Sequence, residues 1–154
     1  LSLHDALPIS KILIQDVDIE YFNDIFELLK QLWPNNRLDY HKMQKVFDDN
    51  LKSDYKRLIC AMINNRIIGF CSLTIKDNLW QQGLLGNVDE LVVDEKFRGQ
   101  GIGRKLMDTI TDIAIKEGCV QLELDSALHR EQAHKFYNNL GFTTRAYLFS
   151  KRLR

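Results

Sequence analysis

A β-prone run that leads directly into a glycine-rich turn and an amphipathic helix constrains the fold of this chain most strongly. Residues 88–93 are mostly apolar, glycines follow at alternate positions, and apolar residues then recur at helical spacing. Glycines in such a turn let consecutive backbone N–H groups point into one concavity, and the helix dipole adds partial positive charge. The pattern therefore predicts a strand-turn-helix unit of the α/β class that is suited to holding a phosphate group.

The glycines alone do not identify the ligand of this turn. The P-loop pattern GxxxxGK[ST] is absent, and the dinucleotide pattern GxGxxG fails because Arg104 stands where its third glycine belongs. Arg98 and Arg104 offer charge-assisted contacts to an anion. From these residues, a turn that binds a pyrophosphate and a turn that binds nothing both remain open.

Hydrophobic periodicity predicts the element order β-α-α-β-β-β-α-β-α-β. Helices are expected after the N-cap candidate Asp18, from Asp39, after the glycine turn, and from Arg130. Asn64-Asn65 predicts a hairpin turn, and residues 77–87 a loop. This order predicts a mixed α/β fold with a mostly antiparallel central sheet and helices on both faces. The predicted strands are 12–15, 58–63, 67–75, 88–93, 119–124 and 142–149.

Composition narrows the class of protein. The chain has 154 residues, enough for one domain, and its 21 basic and 21 acidic residues cancel, which argues against nucleic-acid or membrane binding. Three cysteines without CxxC spacing predict buried free thiols in a cytoplasmic protein, with neither disulfides nor a metal site. Residues 1–10 are expected to be a non-native or disordered leader, and residues 11–154 a single domain.

Two motifs carry a resemblance to a known family. Arg98-Gly99-Gln100-Gly101-Ile102-Gly103 resembles the acetyl-CoA signature R/Q-x-x-G-x-G/A of the GNAT superfamily of N-acetyltransferases. Residues 133–142 are similar to the superfamily's A-x-x-F-Y-x-x-x-G-F segment. The resemblance implies the GNAT fold, one N-acetyltransferase domain over residues 11–154, and acetyl-CoA as cosubstrate.

The resemblance also implies which residues bind the cosubstrate. The strand before the signature would hydrogen-bond the pantetheine arm through its backbone, and the turn would hold the pyrophosphate. Arg130 stands where many members carry asparagine, so this chain departs from the family there. The implied binding residues are Leu91, Val92, Val93, Arg98, Gly99, Gln100, Gly101, Ile102, Gly103, Arg104, Ser126, Arg130, Ala133 and Phe136.

Acetyl transfer to an amine needs a base for the amine, a donor for the oxyanion and an acid for the leaving thiolate. The resemblance implies Tyr137 as the acid and the backbone N–H of Val93 as the oxyanion donor. Asp89 and Glu90 are the candidate bases. Strand alternation is expected to point them to opposite faces, so that at most one faces the cleft, and either one can instead be a solvated edge charge.

Other functional interpretations remain. A His-Asp arrangement of His129 or His134 with Asp125, or Cys119 as nucleophile, would be different chemistry, but no third orienting residue is evident. The expected acceptor is a small-molecule amine such as an aminoglycoside, which would imply antibiotic resistance. A protein lysine, an N-terminal amine or a polyamine is the alternative. A non-catalytic acetyl-CoA sensor is an interpretation from another class, and a homodimer is a further expectation from the family.

Overall fold

Two asparagines form the turn at the centre of the sheet. In the computed structural model, which describes residues 11–154, β2 (Lys56–Ile63) and β3 (Arg66–Asn78) pair antiparallel on either side of Asn64 and Asn65. Both asparagines have positive φ, 47° and 61°, which confirms the predicted hairpin turn. β1 (Leu13–Asp16) pairs antiparallel with β2 at the sheet edge. The expected leader at residues 1–10 lies outside the described residues.

The next hairpin differs from its prediction, because only residues 79–82 of the predicted loop 77–87 form a turn and the others belong to strands. β3 continues to Asn78, and β4 (Gly83–Val93) starts at Gly83, directly opposite Asn78. The Asn78 side chain accepts a hydrogen bond from the Gln81 N–H at 2.9 Å, which closes a short turn. Leu79 and Trp80 are 97% and 82% exposed, so this end of the hairpin projects into solvent. Polar residues there can belong to a strand because they stay hydrated.

β5 (Cys119–Leu124) completes a five-stranded sheet in the order β1-β2-β3-β4-β5. It follows β4 through α3 (Ile102–Lys116), the kind of crossover that joins parallel strands. α3 begins after Gly101, at φ 80°, and ends before Gly118, at φ 87°, as the glycine pattern predicts. The sheet is mixed and mostly antiparallel, which confirms the predicted fold class.

Helices cover both faces of the sheet. α1 (Phe22–Leu32) and α2 (Tyr40–Lys52) share one core cluster with the β-strand residues Leu58, Cys60, Met62, Ile67, Phe70 and Val92. Gly69 and Ala61 face each other on the opposite side, where Leu106 of α3 approaches. Asp39, at the predicted start of this helix, caps α2 by accepting from the Lys42 N–H at 2.9 Å. Asp18 caps a short 3-10 turn, Ile19–Tyr21, that precedes α1.

The described residues fall into two units, one through Glu123 and the other Leu124–Arg154. The second unit contains α4 (Glu131–Asn139), which ends before Gly141 at φ 92°. The predicted strand at residues 142–149 is wrong, since this segment joins no strand of the described structure and Phe149 is 89% exposed. β-prone residues form a strand only where a neighbouring strand pairs with them. Among residues 11–154, every helix is too short or too polar to cross a bilayer.

Replacement of Gly69 by alanine should destabilise the protein, because the site is already filled. A Cβ there would lie 3.0 Å from Leu106 Cδ1 and 3.2 Å from Ala61 Cβ. We expect the free energy of unfolding, measured by urea denaturation, to fall by about 1–3 kcal/mol.

Gly83→Ala is the matched control, since a Cβ there would meet Val120 at an ordinary 3.5 Å. Its free energy of unfolding should stay within about 0.5 kcal/mol of the wild type. Equal losses in the two variants would contradict the packing explanation.

Candidate active site

An irregularity in the β3–β4 ladder brings two carboxylates to one face of the sheet. Ser72 faces Glu90, but the register shifts between Ser72 and Leu73, so Asp89 is an extra residue in β4. The Ser72 hydroxyl donates to Glu90 and the Thr74 hydroxyl donates to Asp89. Because Ser72 and Thr74 are two residues apart on β3, their side chains share a face. The expectation that alternation separates Asp89 from Glu90 is therefore wrong.

Asp89 is held by three neighbouring side chains. Its Oδ1 accepts from Asn87 Nδ2 at 2.8 Å, and its Oδ2 accepts from the Thr74 hydroxyl. Lys56 Nζ lies 3.5 Å from the same Oδ2 and also donates to Thr74. Both carboxylate oxygens of Asp89 are therefore engaged by protein side chains, and Lys56 balances the charge.

Glu90 has a different environment. Within the described residues, the Glu90 side chain hydrogen-bonds to Ser72, whose hydroxyl donates to Oε2, and the Glu90 N–H donates to Ser72 Oγ at 3.2 Å. Burial raises the pKa of Glu90 above its ordinary value, and the neighbouring Asp89 adds to the rise, while Ser72 and Lys56 oppose it. A carboxylate with a raised pKa and an oxygen left for a new partner is suited to act as a general base.

The chain leaves β4 along a tightly held path. The Asp94 N–H donates to Ile68 O on β3 at 2.8 Å, and the buried Asp94 carboxylate accepts from Arg66 at 3.3 Å. The Glu95 N–H then donates to Gln31 Oε1 of α1 at 2.9 Å. The start of the glycine turn is thereby fixed to both the sheet and a helix.

The glycine turn forms an open cradle. Gly99 and Gly101 have φ of 78° and 80°, and a Cβ on Gly99 would meet no heavy atom within 4 Å. Because α3 starts at Ile102, the N–H groups of Ile102, Gly103 and Arg104 have no acceptor in the helix ladder. Unpaired N–H groups at a positive helix end form an anion site.

Arg98 contacts the edge of β4 that adjoins β5. Its Nε donates to Val93 O at 3.0 Å. The Asp94 N–H points toward β3. Backbone groups of successive strand residues point to opposite edges, so the N–H and C=O of Val93 point away from β3. β5 is the next strand on that side of the sheet. Gln100 Oε1, in the same turn, is buried without a hydrogen bond among the described residues. The turn therefore offers a ligand the guanidinium cation of Arg98 and a hydrogen-bond acceptor, the side-chain oxygen of Gln100.

A cavity of about 470 Å³ lies beside this turn. It joins the end of α1 to the segment before α3, and Lys30 Nζ lies 2.9 Å from Glu27 Oε1 within it. A second cavity, of about 390 Å³, lies at the start of α2 and is lined by residues 37–41. The lining of the first cavity mixes both signs of charge: Glu27, Lys30, Gln31, Pro34, Glu95 and Arg98.

The remaining predicted site residues lie in the C-terminal unit. Arg130 is the N-cap residue of α4, and the half-buried Tyr137 ring packs at 5.3 Å from Phe136 and 6.0 Å from Phe142, centroid to centroid. The predicted roles of these residues stay predictions. The set comprises Ser126, Arg130, Ala133, Phe136 and Tyr137.

The alternative chemistries find little support. A ring nitrogen of His134 lies 3.0 Å from Ala127 O, a local backbone contact next to α4. Burial raises the pKa of the Cys119 thiol, and the nearby Glu117 adds to the rise, which disfavours the thiolate that a nucleophile needs. Among the described residues, no group of three or more His, Cys, Asp or Glu side chains is placed to hold a metal ion.

Sequence reasoning missed four side chains that shape this site. Ser72 and Thr74 hold the two carboxylates, Lys56 balances Asp89, and Gln31 fixes the turn. A signal for the first two was present, since they are the hydroxyl residues at alternate positions of the otherwise apolar run 67–75. Lys56 and Gln31 act across elements, where periodicity carries no information.

Comparison with known proteins identifies the family. Residues 22–142 match the model of the acetyltransferase (GNAT) family. Over 152 residues, covering 97% of this chain and 95% of the relative, the chain is 31% identical to the aminoalkylphosphonate N-acetyltransferase of Salmonella typhimurium. The protein therefore belongs to the GNAT family and is an N-acetyltransferase.

A second relative and a solved structure are also similar to this chain. The chain is 33% identical over 87 residues to the glucosamine 6-phosphate N-acetyltransferase of Trypanosoma brucei brucei, covering 56% of this chain and 57% of that protein. The fold is similar to that of an aminoglycoside N-acetyltransferase solved in complex with CoA, with a TM-score of 0.80, 20% identity, and coverage of 93% and 95% of the two chains.

The raised pKa of Glu90 predicts a pH-dependent stability difference for Glu90→Gln. At neutral pH an unfolded glutamate is ionised, and burial disfavours the ionised form of Glu90 in the folded protein, so the variant should have the higher melting temperature. The difference should shrink as pH falls through the raised pKa toward that of an unfolded glutamate, since Glu90 is then protonated in both states.

Thermal melts of the two proteins between acidic and neutral pH check this. Asp89→Asn is the control, because it removes a carboxylate paired with Lys56 and should give no such gain. A lower melting temperature for Glu90→Gln than for the wild type at neutral pH would contradict the burial cost.

Proposed function

We propose that this protein transfers the acetyl group of acetyl-CoA to a primary amine of a small molecule, with Glu90 as the general base. One observation carries the proposal: a half-buried carboxylate with a raised pKa lies on β4, the strand that leads into the glycine-rich turn. Membership of the family supplies the reaction class. The environment of Glu90 supplies the reason to choose it over Asp89.

The turn supports acetyl-CoA as the acetyl donor. A pyrophosphate fits an open cradle of backbone N–H groups at residues 102–104, with the guanidinium of Arg98 nearby. Gly99 and Gly101 leave room for the phosphates because they carry no side chain. Backbone contacts from residues 91–93 to the pantetheine arm, and contacts from Ser126, Arg130, Ala133 and Phe136, are proposed from the family resemblance.

The proposed reaction is direct attack. The amine nitrogen bonds to the thioester carbon while Glu90 takes a proton from that nitrogen, and the Val93 N–H donates to the developing oxyanion. The carbon–sulfur bond then breaks, and Tyr137 protonates the departing thiolate. The products are an amide and free CoA, and solvent returns Glu90 and Tyr137 to their starting protonation states.

The acceptor we propose is a small primary amine, and amines that carry a phosphonate or phosphate group are the first to test. The relative that matches over nearly the whole of both chains is an aminoalkylphosphonate N-acetyltransferase. An aminoglycoside is the acceptor expected from the sequence. The aminoglycoside enzyme, at 20% identity, supports the fold alone, so this acceptor stays a prediction.

Release of free CoA thiol from acetyl-CoA tests the proposal. The panel contains an aminoalkylphosphonate, glucosamine 6-phosphate, an aminoglycoside, a polyamine and a lysine peptide. We expect amine-dependent release, strongest with the phosphonate or phosphate amines. Preference for the polyamine or the peptide would favour the alternative substrate classes. Binding of acetyl-CoA without release by any amine would overturn the proposal in favour of a non-catalytic sensor.

Variants in the same assay identify the base. Glu90→Gln should lower kcat/KM by about 10²–10⁴-fold while acetyl-CoA affinity is retained, because proton transfer is lost and the turn is intact. Asp89→Asn is the matched control and should cost less, since its carboxylate is already engaged. Tyr137→Phe should lower kcat. A larger loss in Asp89→Asn than in Glu90→Gln would reverse the assignment.

A further inference from the structure

Ser72 contacts Glu90 at two points, and both contacts lie next to Asp89, the extra residue of β4. The Ser72 hydroxyl donates to Glu90 Oε2, and Ser72 Oγ accepts from the Glu90 N–H at 3.2 Å. An extra residue disrupts the regular ladder locally, so a backbone N–H there needs another acceptor. One hydroxyl group therefore fixes both the backbone and the carboxylate of Glu90.

We propose that Ser72 is a positioning residue for acetyl transfer, which holds Oε2 of Glu90 so that Oε1 takes the proton of the acceptor amine. The inference rests on the proposed function and deepens it. Ser72 is only 2% exposed, so water competes little for its hydroxyl. Its neighbour on the other side, Leu58 of β2, is apolar and buried. Of the two residues that face Ser72 across the sheet, only Glu90 can accept its hydrogen bond.

Other charged groups also act on Glu90. Lys56 opposes the rise in the pKa of Glu90, and Asp89 increases that rise. Burial raises the pKa of the Cys71 thiol, which keeps the thiol uncharged. α1, which packs over this face, presents apolar side chains such as Ile25 and Leu29. Ser72→Ala leaves all of these groups in place. The titratable groups that interact with Glu90 are Lys56 of β2, Cys71 of β3 and Asp89 of β4.

The pH dependence of kcat/KM in Ser72→Ala and Ser72→Thr tests the proposal. On the acid side of this profile, kcat/KM falls as the base becomes protonated; we call this part the acid limb. Ser72→Ala loses a hydrogen bond to the ionised carboxylate, so its acid limb should lie about 1 pH unit higher than that of the wild type. Ser72→Thr keeps a hydroxyl and should keep the wild-type profile. Thr74→Val is the matched control, because it removes the hydroxyl that serves Asp89 and should move the limb less.

A second measurement needs no substrate. Carboxyl-carbon NMR titration of Glu90, assigned by the signal missing from Glu90→Gln, should show the same upward shift in Ser72→Ala. If Ser72→Ala does not fold, Ser72→Cys provides a side chain of similar size with a weaker donor, and a smaller shift in the same direction is expected.

The outcomes separate the two proposals. A Glu90 titration that does not move in Ser72→Ala overturns the positioning role alone, as does a rate loss that is equal at every pH. A titration that moves while the acid limb stays fixed means that Glu90 is not the base, and the positioning role falls with it. Absence of turnover by the wild type with every amine overturns the proposed function and, with it, the role of Ser72 in acetyl transfer.

Discussion

The hydrogen bonds between Ser72 and Glu90 hold the irregular point of the β3–β4 ladder, and the arrangement of the candidate site depends on that point. Without the extra residue, the side chains of Asp89 and Glu90 would lie on opposite faces of β4. With it, both lie beside hydroxyl groups of β3. Burial and the second carboxylate then raise the pKa of Glu90, while Lys56 limits the rise. One inserted residue thus sets both the position and the basicity of the proposed base.

The same strand also carries the candidate cosubstrate site. Only residues 91–93 separate Glu90 from Asp94, whose N–H is bonded to β3, so these two residues lie roughly 13 Å apart in an extended chain. Beyond that point the backbone is held by Gln31 of α1 and by Arg98. Paired backbone groups leave the turn little freedom to shift. The spacing between base and cradle therefore depends on the strand as far as Val93 and on the hydrogen-bonded segment that follows it.

Local features of this fold were predictable from the sequence, and features that depend on a partner strand were not. The turn at Asn64-Asn65 and the glycine ends of α3 follow from φ preferences of single residues. The length of the β3–β4 hairpin and the wrong strand at residues 142–149 depend on pairing, which a single segment does not contain. Likewise, sequence pattern named Asp89 and Glu90 but gave no basis for choosing between them, because burial and ion pairing are tertiary properties.

The distribution of charge around the candidate site bears on the acceptor. A polycationic amine gains affinity from carboxylates that have no cationic partner. Here Asp89 is balanced by Lys56 and Glu27 by Lys30, so neither carboxylate adds much attraction for a polycation. This charge balance agrees with the acceptor class proposed above, an amine that also carries an anionic group.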